Sequence, residues 1–158
     1  MKKYILDLTV KSVERINSRY VLIRLTDSKP LPEMCPGQFV EVRADGTADT
    51  FLRRPISINF VDRAANELWL LVATVGDGTR HIASVKPGGS LNCVLPLGNG
   101  FTMPKTPSER VLLVGGGVGV APLLYMGAEM KRMGCEPTFL LGARSESDLL
   151  ELEYFKEY

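Results

Sequence analysis

The chain has 158 residues, 45% of them hydrophobic, and its 19 basic and 18 acidic residues leave a net charge of +1. This composition is typical of one folded domain, or of one domain and part of a second, and it argues against a disordered protein. We expect neither a nucleic-acid partner, which requires a basic stripe, nor a membrane, because no stretch approaches the ~20 apolar residues of a span.

The start of the chain and its cysteines indicate a cytoplasmic protein. Two lysines and an apolar run open the chain, but Asp7 interrupts that run before a signal-peptide core is complete. Cys35, Cys93 and Cys135 are scattered without the CxxC spacing of a metal site. We therefore expect three reduced thiols, each buried like a small hydrophobic residue, and no metal ligands in this chain.

The first 100 residues follow the period of two that is typical of β-strands. The segments with this pattern are YILDLTVKSV, YVLIRLT, QFVEVR, PISINF and ELWLLVAT. The turn signals between them are Pro30, Pro32, CPG at residues 35–37, ADGTAD at residues 44–49, and Asn66. Five or six strands at this spacing predict an antiparallel barrel or sandwich.

Two features of this half suggest an anion site. Arg53 and Arg54 stand directly before the strand PISINF, where an arginine can pair bidentately with a diphosphate, although a surface ion pair would need the same residue. Further on, Gly76, Gly78 and Thr79 open a predicted short helix, DGTRHIASV. Free amides at a helix start suit a diphosphate, but a β-turn between strand and helix would have the same sequence.

After residue 108 the pattern changes to alternating buried strands and helices. RVLLV and TFLLGAR are continuous apolar runs, which predict parallel strands buried on both faces. Between them we predict a helix that starts near Pro122 and ends at Gly134. Its expected core positions are Leu123, Met126, Gly127, Met130 and Met133.

The end of the chain predicts a last helix, ESDLLELEYFKEY, with Ser145 and Asp148 as a capping box and the acidic tail solvated. The βαβα order is the opening of a doubly wound parallel sheet, joined to the first half by a linker at residues 96–109. Two such strands bury too little to fold alone. The second half therefore either leans on the barrel or belongs to a fragment of a longer protein, and we favour the fragment.

The glycine-rich loop VGGGVGV follows the first of these strands. Gly115, Gly116, Gly117 and Gly119 let a backbone approach a phosphate at the N-terminus of the next helix. The loop is not the G-x-G-x-x-G fingerprint, because Val120 stands where the third glycine would be. A tight turn would explain some of these glycines but not four within five positions, so we predict nucleotide binding.

The segments RRPISINF, GDGT, LGNGF and GGGVGVAPLL, in this order and spacing, resemble the ferredoxin reductase-like flavoprotein superfamily. Within it, the chain is most similar to the electron-transfer subunits of bacterial type B dihydroorotate dehydrogenase, over essentially its whole length. The resemblance implies a six-stranded antiparallel FAD-binding barrel at residues 1–100. Residues 101–158 are then the first, incomplete part of a doubly wound parallel NAD-binding domain.

The resemblance also implies site residues. Arg54, Gly78 and Thr79 match the positions that hold the FAD diphosphate. The positions that line the flavin or border the cofactor are Pro55, Ile56, Ser57, Leu71, Val72 and Ala73. The phosphate loop for the nicotinamide nucleotide comprises Gly115, Gly116, Gly117, Val118 and Gly119.

The chain departs from the family pattern in three places. Ile56 stands where many relatives have a tyrosine that stacks on the flavin, and strict strand alternation puts Ser57 on the face opposite Ile56. The family's subunits also continue further and end in four cysteines that bind a [2Fe–2S] cluster. Those cysteines are absent from this sequence.

The function implied is an FAD-dependent oxidoreductase subunit of pyrimidine biosynthesis. Electrons pass from dihydroorotate, through an FMN-containing catalytic subunit, a [2Fe–2S] cluster and FAD, to NAD. One alternative is a subunit of another FAD-dependent NAD(P)H–ferredoxin or sulfide-type reductase. Another is a flavin-binding module without turnover.

Overall fold

The structure is a computed structural model that describes residues 2–44 and 50–158. Most of the turn predicted at residues 44–49 therefore lies outside the described residues. The antiparallel strands are β1 (Tyr4–Arg15), β2 (Tyr20–Thr26), β3 (Phe39–Val42), β4 (Arg54–Ser57), β5 (Phe60–Asp62), β6 (Glu67–Ala73) and β7 (Ser90–Leu97). Helix α1 (Asp77–Ser84) lies between β6 and β7.

The antiparallel strands form one sheet that closes on itself. Their order is β4-β3-β7-β1-β2-β6-β5, so β4 and β5 lie at opposite edges although only Ile58 and Asn59 separate them in the chain. The Ile58 amide donates to Gln38 O at 3.0 Å on one edge, and the Asn59 amide donates to Trp69 O at 3.0 Å on the other. With β4 and β5 counted as one bent strand, the predicted six-stranded barrel is confirmed.

The barrel core is formed by the inward-facing residues of alternating strands. Its members include the fully buried Leu8, Ile23, Val40, Leu68, Leu70, Cys93 and Leu95. Strand β7 was not among the segments that the sequence pattern picked out. Its alternation is real, since Leu91, Cys93 and Leu95 point inward, but the outward Val94 is also apolar and Pro96 breaks the pattern.

The second part contains β8 (Leu112–Gly116), α2 (Ala121–Arg132), β9 (Thr138–Gly142) and a short α3 (Leu152–Phe155). Strands β8 and β9 pair in parallel, and the Gly117–Val120 segment between β8 and α2 forms a 3-10 turn. Helices α2 and α3 pack on the face of this sheet that holds Leu113 and Phe139. The βαβ order predicted from the sequence is therefore observed.

The second part leans on the barrel. Leu71 of β6 belongs to its core cluster, and Tyr125 of α2 enters the barrel core. The Tyr125 amide donates to Asn59 O at 3.1 Å, and its hydroxyl donates to Met34 O at 3.0 Å. These contacts provide the burial that two parallel strands cannot supply alone.

The prediction that β8 and β9 are buried on both faces is wrong. Leu112, Val114 and Leu140 are 58%, 61% and 59% exposed on the face opposite α2 and α3. In the part of the chain that the structure describes, no element packs over this face. A continuous apolar run shows that a strand can be covered on both sides, but it does not show which neighbour covers it.

Helix α2 has the predicted ends but one different core position. Pro122 lies in its first turn, and Gly134 follows it with a φ of +82° that favours glycine. Leu123, Met126 and Met130 are buried as predicted. Met133 is 39% exposed, because the helix ends at Arg132 and no longer fixes the direction of the next side chain.

The prediction of one continuous last helix is also wrong. A 3-10 turn at Glu146–Asp148 and α3 are separated by Glu151, whose φ of +57° is left-handed. Ser145 bonds the Asp148 side chain at 3.2 Å and caps no backbone amide. Phe155 packs on β9, while Glu153 and Glu157 are exposed and form the solvated face that was predicted for the tail.

The helices in the described part of the chain are all too short or too polar to span a membrane.

Candidate functional site

The side chain of Arg54 lies on the first turn of α1. A Cβ added to Gly78 would be 2.6 Å from Arg54 Nε and 3.1 Å from its Cζ and Nη2, so the guanidinium covers the glycine backbone directly. Nη1 donates to Leu52 O at 2.8 Å. Within the described residues, Nε and Nη2 donate no hydrogen bond, and these donors face the start of α1.

Thr79 closes the turn that begins α1. Its hydroxyl accepts from the Gly76 amide at 3.1 Å and donates to Gly76 O at 3.0 Å. Gly76 has extended backbone, and a Cβ there would meet nothing within 4 Å. Asp77 adds a negative charge to the first turn but pairs with Arg80 at 2.7 Å. The helix start is therefore ordered by its own residues, and Arg54 is the cation that lies on it.

Arg53 has a different role from its neighbour. Nη1 of Arg53 donates to the backbone oxygens of Glu41, at 3.2 Å, and Asn92, at 3.0 Å, and Nη2 bonds the Asn92 side chain. These contacts join β3 to β7 at the barrel wall. Arg53 therefore stabilises the barrel wall, and of the two arginines only Arg54 is directed to α1.

A cleft of about 280 Å³ lies beside Arg54 and α1. One wall comes from β4 and the end of β6, another from α1, and a third from the turn between β8 and α2. The lining residues are Pro55, Ile56, Ser57, Leu71, Ala73, Val75, Thr79, Val118, Gly119, Ala121 and Pro122. Eight residues of the sequence prediction are thereby brought to one cleft from four separate segments.

Strand alternation determines which of the predicted residues of β6 face the cleft. Leu71 and Ala73 face the cleft, whereas the intervening Val72 is fully buried in the barrel core. Ile56 and Ser57 both line the cleft, although they were expected on opposite faces. The chain bends directly after Ser57 to reach the other edge of the sheet, so strict alternation does not hold there.

Gly115, Gly117 and Gly119 of the loop differ in what their surroundings require. A Cβ at Gly115 would lie 2.7 Å from Leu123, so this glycine lets α2 approach β8. Gly117 has a φ of +53°. Gly119 borders the cleft, and a Cβ there would meet nothing within 4 Å among the described residues. No contact inside the described chain therefore requires glycine at residue 119.

A second cleft, of about 530 Å³, opens on the other side of the glycine loop. It lies where β8 and β9 end, which is where ligands bind in parallel sheets. Its lining residues are Arg19, Tyr20, Val75, Gly116, Gly117, Gly142, Ala143, Arg144 and Asp148. Val75 lines both clefts, so they are neighbours.

Two charged groups of the second cleft form an ion pair. Arg19 Nη2 lies 2.9 Å from Asp148 Oδ2, and this hydrogen bond lowers the pKa of Asp148. Sequence reasoning missed Arg19, Tyr20 and Arg144. Only Arg144 carried a signal, because it is the last residue of the predicted strand TFLLGAR. Arg19 and Tyr20 reach the cleft from the barrel.

The cysteines do not form a site. Cys93 and Cys135 are buried as expected, but Cys35 is exposed, because it lies in the CPG turn outside the barrel. Among the described residues, no group of three or more histidine, cysteine or acidic side chains is close enough to hold a metal ion.

No family model matches the chain. This chain is 45% identical over 115 residues to the dihydroorotate dehydrogenase B (NAD(+)) electron transfer subunit of Desulforamulus reducens. The match covers 73% of this chain and 44% of that protein. It is 32% identical over 152 residues to the subunit of the same name from Geobacillus kaustophilus, covering 96% of this chain and 59% of that protein. The chain is a homologue of these electron-transfer subunits.

A solved structure supports the same relationship. The NADH-dependent reduced ferredoxin–NADP oxidoreductase matches with a TM-score of 0.81 and 28% identity, over 95% of this chain and 53% of that one. The resemblance predicted from the sequence motifs is thereby confirmed, as is the fold class. The chain spans about half the length of the curated relatives that it matches.

Proposed function

We propose that the chain binds FAD, with the diphosphate held between Arg54 and the start of α1. The observation that supports this most directly is the position of the Arg54 guanidinium against Gly78. A helix N-terminus offers free amides and partial positive charge, and a guanidinium adds two parallel donors. The unused Nε and Nη2 of Arg54 fit the charge and geometry of a diphosphate.

The flavin ring fits the cleft of about 280 Å³ beside this anion site. Its walls are mainly apolar, with Ile56, Leu71 and Pro122 among them, and Ser57 contributes a hydroxyl. Such a site keeps water from a bound ring while one polar group orients it. The backbone of Gly119 would approach the ring or its ribityl chain, where a side chain would obstruct it.

We assign the second cleft to NAD, with the loop of residues 115–119 supplying backbone amides to its phosphates. When bound, FAD supplies the exchange of a hydride with the nicotinamide and of single electrons with a further centre. The protein's own task is to hold the two cofactors on either side of the glycine loop. In keeping with this, residues 1–100 would be the FAD-binding domain and residues 101–158 the first part of the NAD-binding domain.

We infer that the whole protein is the electron-transfer subunit of an NAD-linked dihydroorotate dehydrogenase in the cytoplasm. The names of its homologues support this, and an electron-transfer subunit requires a catalytic partner, here an FMN-containing subunit that oxidises dihydroorotate to orotate. The [2Fe–2S] cluster expected between the two flavins would need ligands from elsewhere, because the described residues contain no suitable cysteine group.

The first test is purification of the chain. We expect a yellow protein that releases FAD, and not FMN, on denaturation. A colourless protein that does not take up added FAD would overturn the cofactor assignment. Addition of the FMN subunit and of a segment that carries the cluster should then give dihydroorotate-dependent reduction of NAD.

Two other functions have support. The 28% identity to a ferredoxin–NADP oxidoreductase favours a subunit of a different NAD(P)H-linked reductase, which would reduce its flavin with NADPH but fail to couple to dihydroorotate. The Arg54–Gly78 contact and the cleft beside it also suit a flavin-binding module without turnover, because they argue for binding alone. Anaerobic mixing with NADH separates these, because rapid bleaching of the flavin would reject the inert module.

A further inference from the structure

Asn59 connects three parts of the molecule at the bend between β4 and β5. It is fully buried, and its Nδ2 donates to Ala121 O at 3.0 Å and to Glu151 Oε2 at 2.8 Å. Ala121 begins α2 directly after the glycine loop, and Glu151 precedes α3. One amide group therefore fixes both segments against the barrel.

Glu151 has the features of a residue held in place by tertiary contacts. It is only 7% exposed, and its φ of +57° is uncommon for a residue with a side chain. The left-handed backbone turns the carboxyl group toward Asn59 and interrupts the predicted helix. This conformation persists only where the surroundings stabilise it.

The two side chains leave a matching pair of acceptors. Among the residues that the structure describes, Asn59 Oδ1 and Glu151 Oε1 are buried without a hydrogen-bond partner. Both hydrogens of the Asn59 amide are already used, one for Ala121 O and one for Glu151 Oε2. Buried acceptors without donors are rare because each is costly, and a charged carboxylate is the costliest. A proton on Glu151 would remove the charge and supply a donor.

We propose that Glu151 is protonated when the segment around α3 is docked on the barrel, that its proton is donated to Asn59 Oδ1, and that docking therefore takes up one proton. The proton comes from solvent, and no bond other than O–H is formed. The proposal does not depend on the cofactor or on the proposed redox function.

The electrostatic surroundings agree with this geometry. Burial raises the pKa of Glu151 to about 7, while the hydrogen bond from Asn59 acts in the opposite direction. Glu14 on β1 raises this pKa further and Arg24 on β2 lowers it. Arg24 is itself engaged by Glu14 at 3.1 Å and by the Tyr154 hydroxyl at 2.8 Å.

The direction of the pH effect follows from the raised pKa. Glutamate has a reference pKa of 4.5, so between that value and about 7 the docked state holds a proton that the undocked state has lost. The stabilisation is complete below pH 4.5 and is lost as the pH rises through 7. For a single proton, the undocking equilibrium constant rises about tenfold per pH unit within this window.

The fluorescence of Trp69 can report whether the segment around α3 is docked. Trp69 is the single tryptophan, and its ring lies 5.4 Å from that of Tyr154 in α3. We suggest urea titrations of the full chain followed by tryptophan fluorescence at about pH 5 and about pH 8, for the wild type, Glu151→Gln and Glu157→Gln. Glutamine imitates the protonated acid, and Glu157 is an exposed glutamate of the same segment.

We expect Glu151→Gln to be more stable than the wild type at the higher pH and the difference to shrink toward the lower pH. Glu157→Gln should follow the wild type at both. A difference that is the same at both pH values, or a loss of stability in Glu151→Gln at the higher pH, would overturn the proposal. If that variant does not fold, carboxyl-carbon NMR of the wild type decides, because the proposal requires one glutamate that titrates near pH 7.

Discussion

The guanidinium of Arg54 and the backbone of Gly78 are in direct contact, although 24 residues separate them in the sequence. Arg54 begins β4, at one edge of the barrel sheet, and Gly78 lies in the first turn of α1, which follows β6. Barrel closure brings these segments together, because β4 continues into β5 and β5 pairs with β6. The Arg54 cation and the N-terminus of α1 therefore lie together beside the cleft of about 280 Å³.

Replacement of Arg54 should weaken FAD binding without a loss of fold. Hydrogen bonds to charged groups contribute about 2 kcal/mol, so we expect Arg54→Ala to raise the Kd for FAD about 30-fold. Equilibrium dialysis of the apoprotein with FAD measures this. Arg53→Ala is the matched control: it removes donors from Glu41 O and Asn92 O, and should lower the free energy of unfolding by about 1–3 kcal/mol instead. Equal FAD retention in the two variants would contradict the assignment of Arg54.

A methyl group at residue 78 should have the same effect as loss of the arginine. The Cβ of Gly78→Ala would lie 2.6 Å from Arg54 Nε, so the guanidinium has to move off the helix start. We expect a clear loss of FAD affinity with little change in the thermal midpoint, since the displaced group is a flexible side chain. Gly76→Ala is the comparison, because its Cβ meets nothing within 4 Å. The idea fails if both variants bind FAD as the wild type does.

The hydroxyl of Tyr125 should stabilise the contact between the two parts of the molecule. It donates to Met34 O at 3.0 Å in a buried position. Tyr125→Phe leaves that carbonyl without this donor, so we expect the free energy of unfolding to fall by about 1–2 kcal/mol in urea titrations. Tyr4→Phe serves as the control, since the Tyr4 hydroxyl makes no hydrogen bond within the described residues. A neutral Tyr125→Phe would mean that this hydroxyl contributes nothing, and that apolar packing and the hydrogen bonds of Asn59 hold the two parts together.

The three cysteines should differ in reactivity. Cys35 is exposed, whereas Cys93 and Cys135 are buried. Burial also raises the pKa of Cys93 to about 12, so its reactive thiolate is scarce throughout the neutral range. Titration with a thiol reagent should modify one residue in the native protein and three in urea. Cys35→Ser should abolish the native reaction, and modification of Cys93 in the folded chain would show that the barrel opens.

The elements that could be predicted from the sequence are those whose signal is local. The strands with clear alternation, the start of α2 at Pro122 and its end at Gly134 all agree with the structure. Each depends on backbone preferences of a few adjacent residues. Strand β7 was not predicted because the apolar Val94 faces outward and Pro96 breaks the alternation. The last helix was wrongly extended through Glu151 because the tertiary contact to Asn59 overrides helix propensity there.

For the site, too, local sequence patterns led to a prediction, whereas contacts between distant segments could be known only from the structure. The residue types and their spacing in RRPIS, GDGT and GGGVG led to the prediction of an anion-binding site, because a guanidinium group and free amides at a helix start suit a phosphate. The family resemblance singled out Arg54 and not Arg53, although two adjacent arginines alone do not show which one reaches α1. Nothing in the sequence told that Val72 turns away from the cleft or that Arg19 joins the second one. Those outcomes depend on how strands far apart in the chain pair and close into a barrel, and such long-range pairing leaves no mark in any short segment.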